Sequence, residues 1–283
     1  MRSKETIGHR LSRAALTALA VAVSLVFLVP VLWLLASAFR PSSDTFASSA
    51  PLSWHVLWPN TFTLDNVQSA VGNGFLRSLG NSLLVAGVTV VVGLTVSAMA
   101  AFALAVIPFR GRGAVFSVVV LSFLVPFEAI AIPLSRTFSV WGLTNTLIAL
   151  ILPGLGNGLA VFTLQQFFRS VPASLSEAAH LDGASWWRIF RSVYLPLTRP
   201  ALIGAGLILF LFQWQAYLWP ILVTSRTELD VAPVTIAKAF GAFTTDYGRV
   251  FAETAVLAVI PAAVLLALQR YFVTSLATTG SKE

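Results

Sequence analysis

Six long apolar segments, separated by polar ones, constrain the fold of this chain more than any other feature. A run of about 20 apolar residues is long enough, as a helix, to cross a hydrocarbon layer of about 30 Å. Helices are expected because backbone groups inside lipid must be hydrogen-bonded within their own segment. The sequence therefore predicts an all-α integral membrane protein with six transmembrane helices. The predicted spans cover about residues 14–38, 81–107, 114–134, 146–168, 201–223 and 250–269. The fourth is expected to be interrupted by Pro153, Gly154, Gly156 and Gly158, with neighbouring protein or a wet cavity satisfying the freed backbone groups.

Composition favours a single membrane domain. Hydrophobic residues make up 57% of the chain and charged residues 10%, whereas about a quarter of the residues of soluble domains are charged. The first apolar run is longer than the core of a signal peptide, about 7–15 residues, so we expect it to be retained as a span. The expected division is a cytoplasmic segment at 1–13, a membrane domain at 14–270 and a cytoplasmic tail at 271–283.

Some classes of site are excluded by residue usage. Cysteine is absent, so the chain has no disulfide, no thiolate nucleophile and no cysteine metal ligand. The three histidines, His9, His55 and His180, are scattered along the sequence. We therefore expect no metal site.

The basic residues predict the orientation. Cytoplasmic loops of membrane proteins carry an excess of Lys and Arg, and placing both termini in the cytoplasm puts 12 of the 18 basic residues on that side. The loop at 169–200 is then cytoplasmic too. The net charge of +7 is explained by these loops and does not call for a nucleic-acid partner. The 12 residues are Arg2, Lys4, Arg10, Arg13, Arg110, Arg112, Arg169, Arg188, Arg191, Arg199, Arg270 and Lys282.

The longest polar interruption within the cytoplasmic loops, residues 174–200, predicts a short helix. Ser174 and Glu177 have the spacing of a capping box, in which the two side chains satisfy backbone donors at the start of a helix. The helix should begin near Leu175. It should stop at Gly183, because glycine accepts the left-handed conformation that ends helices.

A second helix is predicted directly after this glycine. One apolar face is formed by residues spaced i, i+3, i+4 and i+7, and Arg188 and Arg191 lie away from it. Tryptophan and arginine at such a position are typical of a helix lying at the membrane surface. Pro196 and Pro200 should then turn the chain into the fifth span. The apolar face consists of Trp186, Ile189, Phe190 and Val193.

This stretch resembles a signature of the permease subunits of bacterial ATP-binding-cassette (ABC) importers. That signature is EAA, three residues, G, nine residues and then I-x-L-P. The chain departs from it only by valine in place of isoleucine. The matching residues are Glu177, Ala178, Ala179, Gly183, Val193, Leu195 and Pro196.

The resemblance extends over most of the chain and points to the carbohydrate-uptake, maltose-type branch of these permeases. It implies a type I ABC importer permease fold and a multi-pass protein of the bacterial plasma (inner) membrane. The matching stretches are residues 81–82, 100–105, 109–112, 142–146, 177–184, 218–220 and 269–273.

The resemblance also implies a mechanism and partners. The first predicted helix would be a coupling helix that docks on a cytoplasmic ATPase, with the following segment as its support. The expected partners are a second homologous permease, two ATPase subunits, an extracytoplasmic substrate-binding protein and membrane lipid. The implied coupling residues are Glu177, Ala178, Ala179, Leu181, Asp182 and Gly183, and the implied support residues are Ser174, Trp186, Arg188, Phe190, Leu195 and Pro196.

The sequence contains no GxxxxGK[ST] phosphate-binding loop. We therefore expect a transport subunit without enzymatic activity of its own and without a bound cofactor. ATP and Mg²⁺ would be used by the partner ATPase.

Five polar or aromatic residues in the predicted spans are candidates for the substrate pathway. A carboxylate within a span is costly unless it faces protein or water, so Glu128 either lines a path or lies in the outer leaflet, protonated or paired, for example with Arg136. Two intramembrane amides need partners, and aromatic residues near a span end either contact a sugar or anchor the membrane interface, as expected for Trp219. Glu253 is expected to be a solvated cap of the sixth span. The five candidates are Glu128, Gln213, Trp214, Gln215 and Tyr217.

One departure concerns the fifth span. Importer permeases of this branch often have Trp-Asn-Asp before the aromatic residue, whereas this chain has Gln215 and Ala216 after Trp214. A role that depends on that carboxylate does not carry over.

The favoured function is a permease subunit that forms half of the path for a sugar or related polyol. An ion-coupled secondary transporter would show midplane charges and broken helices in corresponding halves. A channel subunit would leave the coupling signature without a role.

Overall fold

The computed structural model describes residues 7–46, 53–241 and 245–279, with side chains described from residue 12 to residue 269 within these ranges. The predicted termini at 1–13 and 271–283 lie partly outside them, and Arg2, Lys4 and Lys282 lie outside them altogether. All regular elements in the described ranges are helical, and a single isolated bridge joins Phe240 and Thr245. The helices are α1 (Ile7–Ala38), α2 (Asp65–Gly72), α3 (Phe75–Val88), α4 (Leu94–Ala105), α5 (Arg112–Leu124), α6 (Phe127–Val140), α7 (Leu147–Ile151), α8 (Gly158–Ser170), α9 (Ala173–Leu181), α10 (Trp186–Ile189), α11 (Leu195–Leu197), α12 (Arg199–Trp214), α13 (Leu218–Val223), α14 (Ala232–Lys238) and α15 (Tyr247–Thr279).

The structure contains four to six candidate membrane spans, and the upper number equals the six predicted from the sequence. Four helical segments are long and apolar enough to cross a membrane, and two bent helix pairs raise the number to six if each pair is one span. The predicted all-α membrane architecture is confirmed. The four segments are Ser12–Ala38, Phe75–Ala105, Leu147–Ser170 and Tyr247–Gln269.

The third predicted span, 114–134, is not one straight helix. It divides at Val125 and Pro126 into α5 and α6, which are bent by 97° relative to each other. Proline disfavours helical geometry in the residue before it, and Val125 has the extended values φ −73° and ψ 121°. At about 1.5 Å per residue α5 is about 20 Å long, so it does not cross the hydrocarbon layer alone.

The fourth span is interrupted as predicted, between α7 and α8. Residues 152–155 form a 3₁₀ turn that contains Pro153. Proline has no N–H to offer the carbonyl four residues earlier, which is that of Ala149. The indole Nε1 of Trp219 donates to this carbonyl at 2.8 Å, and the amide of Gln213 donates to Leu150 O at 3.4 Å. Side chains of the fifth span therefore replace the backbone donors that the interruption removes.

Trp219 is thus not the interface anchor that the sequence indicated. Its side chain is 5% exposed and its ring packs edge-on against Phe127 and Phe138. The indole N–H needs an acceptor, and the nearest one is a carbonyl within the protein. The prediction was wrong because the position of Trp219 near a span end does not reveal that a carbonyl of the fourth span, that of Ala149, lacks its helical donor.

Two helices lie in segments that the sequence predicted as loops. They are α2, between the first two spans, and α14, between the last two. Asn81 ties the second segment to α3 by donating to Glu228 O and Asp230 O at 2.8 and 2.9 Å.

The chain divides into two compact units. The first comprises Met1–Phe75 and Lys238–Ala258, and its apolar cluster is formed by Ala38, Ala252 and Ala255. The second comprises Leu76–Ala237 and Val259–Glu283 and contains two larger clusters. The residues implicated in coupling and the five pathway candidates all belong to the second unit.

Candidate functional site

The predicted first helix is present as α9, but it begins without the capping box. It starts at Ala173 after Pro172, and no side chain caps its N-terminus. Ser174 and Glu177 are both exposed within the helix, because proline places the helix start two residues earlier than the capping signal indicates. The predicted pairing of Ser174 with Glu177 is therefore wrong, whereas the helix itself is confirmed.

The C-terminus of α9 has the predicted glycine stop. Gly183 has φ +77°, a left-handed conformation. Its N–H donates to His180 O at 3.0 Å, and the N–H of Ala184 donates to Ala179 O at 2.9 Å. These two bonds define a Schellman motif, which satisfies the last carbonyls of a helix and fixes the direction of the chain after it.

The outward side of α9 consists of residues that the resemblance implicates in coupling. Glu177, Ala178, Leu181 and Asp182 are exposed, and Leu181 is 90% exposed. Among the residues that the structure describes, none pairs with the Glu177 carboxylate. Ala179 differs from these four, because it is half-buried and packs against the chain's own core.

The segment after Gly183 packs into the core of the second unit. Ile189, Phe190 and Tyr194 are at most 4% exposed and belong to a cluster with Phe102 of α4 and Phe168 of α8. The ring of Phe102 lies 5.1 Å from those of both Phe190 and Tyr194, centroid to centroid. The predicted helix therefore contacts the spans directly through its apolar face, and only its outer side is left exposed.

A π-helical turn changes the register of this face. Residues 190–194 form the turn, and Tyr194 becomes buried while Val193 is only partly buried. A π turn places residues five apart on one side, so Tyr194 follows Ile189. The turn directly precedes Pro196, which would clash with a regular α-helical turn before it. The helix consequently continues to Leu197. The predicted break at Pro196 is therefore wrong.

The predicted turn into the fifth span occurs at Thr198. The helical segment Trp186–Leu197 meets α12 at an angle of 85°. The Thr198 hydroxyl donates to Tyr194 O at 2.7 Å and is buried. If α12 crosses the membrane, the segment 186–197 runs nearly parallel to the membrane plane.

The remaining support residues lie around this segment. Trp186 is half-buried, and its ring centroid lies 4.2 Å from that of His180 on α9. Leu195 packs against the core cluster, whereas Arg188 and Pro196 are exposed. A cleft of about 320 Å³ lies at the junction of α9 with the segment and is lined by Ala179, Asp182, Ala184, Arg188, Ile189, Ser192 and Val193.

The structure separates the pathway candidates of the fifth span into two groups. Trp214 is 2% exposed and stacks on Phe210, and Gln213 is partly buried with its amide directed to the interrupted fourth span. Neither is presented to a ligand in this conformation. Gln215 and Tyr217 are exposed in the break between α12 and α13.

The interrupted fourth span approaches the second span at Gly154. A Cβ atom there would lie 2.7 Å from Gln213 Oε1 and 2.8 Å from Thr89 Cγ2. Thr89 begins a π-helical turn at 89–93, between α3 and α4. The second, fourth and fifth spans therefore make contact at Gly154, where the second and fourth depart from α-helical geometry. The periodicity of the sequence does not reveal this contact.

The two intramembrane carboxylates lie in contrasting surroundings, one exposed and one buried. Glu128 is exposed in the first turn of α6, just past the 97° bend between α5 and α6. Glu253 is 0% exposed, and its Oε1 accepts from Arg249 Nε at 2.7 Å. The prediction of a solvated cap at Glu253 was wrong, because a partner one turn away allows the carboxylate to be buried.

No group of three or more His, Asp or Glu side chains within the described residues is arranged to hold a metal ion. The features that the structure does assemble are the exposed face of α9, its packed support and the break at 215–217.

Comparison with protein families matches residues 93–278 to the family described as binding-protein-dependent transport system inner membrane component. Similar sequences cover nearly the whole chain. The arabinooligosaccharides transport system permease protein AraQ of Halalkalibacterium halodurans is 31% identical over 92% of this chain and 93% of that protein. The trehalose transport system permease protein SugB of Mycobacterium tuberculosis is 32% identical over 90% and 92%. The sn-glycerol-3-phosphate transport system permease protein UgpE of Rhizobium meliloti is 32% identical over 84% and 90%.

Solved structures show the same fold. A chain of a bacterial ABC transporter involved in the import of the acidic polysaccharide alginate superposes with a TM-score of 0.81 at 19% identity, over 95% of this chain and 99% of that chain. A chain of the alginate transporter in complex with an alginate pentasaccharide-bound periplasmic protein gives a TM-score of 0.60 at 16% identity. The resemblance noted from the signature in residues 177–196 is confirmed.

Proposed function

This chain belongs to the family of binding-protein-dependent transport system inner membrane components, and we propose that it couples ATP hydrolysis to sugar import through α9. It is a permease subunit of an ABC importer of the bacterial inner membrane, with the type I fold. In this proposal the chain is a transport subunit and its partner hydrolyses the ATP. The alternative of an ion-coupled transporter or channel subunit receives no support from the relatives.

The observation that carries the coupling proposal is the continuous packing from α9 to α12. The Schellman motif at Gly183 and the ring contact between His180 and Trp186 fix α9 to the segment 186–197. That segment is held by Phe102 of α4 and turns by 85° into α12. Close-packed interiors transmit displacement, so a movement of α9 reaches two spans without an intervening flexible loop.

The proposed partners are those that membership of this family implies. The exposed face with Glu177 and Leu181 binds one of two ATPase subunits, which use ATP and Mg²⁺, and this chain binds no cofactor. A second homologous permease completes the path, and an extracytoplasmic binding protein delivers the substrate. Both termini, within 1–13 and 271–283, are cytoplasmic together with the loop at 169–200, and 14–270 forms the permease domain.

The proposed substrate is a neutral sugar or a related polyol. Few charged side chains lie in the spans, and the exposed amide of Gln215 and phenol of Tyr217 can hydrogen-bond hydroxyl groups. Glu128, exposed at the bend of the third span, is a further lining residue. Gln213 and Trp214 are proposed to stabilise the helices around the path, because Gln213 donates to Leu150 O and Trp214 stacks on Phe210.

The proposal is tested by co-purification followed by a substrate screen. We expect affinity-tagged chain to bring down a second permease and an ATPase, and saccharides or polyols to raise the melting temperature of the associated binding protein. Ionic or peptide ligands should leave the melting temperature unchanged. Co-purification that consistently lacks any ATPase would contradict the assignment.

A further inference from the structure

An exposed aromatic segment lies between the first span and α2. In residues 53–64 the side chains of Trp54, Trp58 and Phe62 are at least 60% exposed, and Leu57 and Leu64 are exposed beside them. The rings of Trp58 and Phe62 contact each other edge-on at 5.4 Å. Nothing described above uses this apolar surface, which we call the aromatic segment.

The aromatic segment is tied to the end of α1. Arg40, two residues after that end, is 2% exposed, and its guanidinium donates to the carbonyls of His55 and Val56, the latter at 3.1 Å. It also donates to Thr45 O at 3.2 Å. On the other side of the segment, Asn66 Nδ2 donates to Ala38 O at 3.1 Å and to Arg40 O at 2.7 Å. Both ends of the aromatic segment are therefore fastened to the last residues of the first span.

This attachment fixes the distance of the segment from the membrane. The side chains of α1 are exposed from residue 12 to residue 32, and those of Val26 and Phe27 are 69% and 74% exposed. The candidate span Ser12–Ala38 has 27 residues, about 40 Å at about 1.5 Å per residue, so it extends past the hydrocarbon layer of about 30 Å and its end reaches the headgroup region. Because Arg40 is held at that point and binds the backbone of residues 55 and 56, the exposed rings lie at the same level.

The charge of the segment favours lipid over protein as its partner. No Asp, Glu, Lys or Arg occurs from Thr45 to Leu64, a stretch of 20 residues. Tryptophan is enriched at membrane interfaces, where its ring is buried among acyl chains and headgroups. Aromatic residues also occur in the charge-poor centres of protein interfaces, but this segment follows a candidate membrane span, which places it beside lipid.

We propose that the aromatic segment inserts Trp54, Trp58 and Phe62 into the lipid headgroup region of the leaflet at which α1 ends. Arg40 acts as the internal clamp that holds the segment in place. The insertion would keep the outward end of the first span at a fixed depth while other spans move. It does not depend on the identity of the transported substrate.

The experiment uses the natural absence of cysteine. Single-cysteine variants Trp58→Cys and Phe62→Cys are labelled with benzophenone maleimide in membranes of cells that express the whole importer, and are then irradiated. The tagged chain is analysed for its mass and for shifts to larger complexes. Ser43→Cys is the matched control, because Ser43 is exposed in the same unit but its hydroxyl bonds the Asp44 carboxylate at 3.0 Å.

We expect lipid adducts on Trp58→Cys and Phe62→Cys to exceed those on Ser43→Cys several-fold. The cysteine-free chain, treated in the same way, gives the background. Adducts to another protein, such as the binding protein, would overturn the proposal, and so would lipid adducts no more frequent than at Ser43→Cys. If one of the two variants does not reach the membrane, the other still tests the proposal.

Discussion

Glu177→Lys is expected to abolish energised uptake while leaving the chain in the membrane at its normal level. Glu177 is exposed on α9 and has no side-chain partner among the described residues, so its replacement does not disturb the fold. If the carboxylate faces a basic side chain of the ATPase, reversing its charge places like charges together, which costs several kcal/mol at an interface. Each 1.4 kcal/mol is about a tenfold change in binding, so docking is lost at cellular concentrations.

The measurements are uptake in cells and substrate-stimulated ATP hydrolysis in proteoliposomes, both normalised to chain in the membrane. Glu228→Lys is the matched control. Glu228 is also exposed, in the segment before α14, and its replacement by lysine changes the charge by the same amount. It should retain stimulated ATP hydrolysis. Wild-type uptake by Glu177→Lys would remove Glu177 from the coupling surface.

The second large effect is expected for Gly183→Val. Gly183 has φ +77°, and a Cβ atom added there would have no heavy atom within 4 Å, so the cost arises only from the backbone conformation. Left-handed geometry costs about 1–2 kcal/mol for an ordinary residue, and a β-branched one tolerates it least. A cost of this size lowers the population of the docked geometry about 5–30-fold.

Asparagine provides the matched comparison at the same position. It adopts the left-handed region more readily than other non-glycine residues, so Gly183→Asn should keep most of the uptake that Gly183→Val loses. Uptake per membrane-inserted chain is measured for both variants. Equal uptake by the two would show that the glycine stop does not govern coupling.

The sequence was sufficient for the elements that depend on local signals. The apolar runs located the first and sixth spans, Pro153 predicted the interruption of the fourth, and Gly183 predicted the end of α9. Each of these depends on a property of the residue itself, such as a missing N–H or freedom at positive φ.

The remaining features depend on contacts between distant segments. Trp219 is buried because Pro153, in another span, leaves the carbonyl of Ala149 without its helical donor. Phe102 lies at the centre of the support for coupling, yet in the sequence it is one apolar residue among many. The 97° bend at Pro126 could not be predicted, because proline within an apolar run is compatible with a slight kink or a complete break.

The coupling site shows the same division. The resemblance implicated Glu177, Leu181 and Asp182 in coupling, and the structure places all three on an exposed side of α9. It did not distinguish Ala178 from Ala179. The two have the same side chain, but Ala178 is exposed whereas Ala179 is half-buried against the core. The direction of a helix relative to its support determines this difference, and π turns such as that at 190–194 alter it without a sequence signal.

The central claim is that α9 docks on an ATPase, and cross-linking from Leu181 tests it most directly. Leu181 is 90% exposed, and a chain without cysteine allows Leu181→Cys to be labelled with benzophenone maleimide as its only thiol. In the irradiated importer we expect the tagged chain to form a covalent complex with the ATPase subunit, whereas the same label at Leu121→Cys, exposed on α5, should not. A Leu181→Cys variant that transports normally but never cross-links to an ATPase would contradict the account.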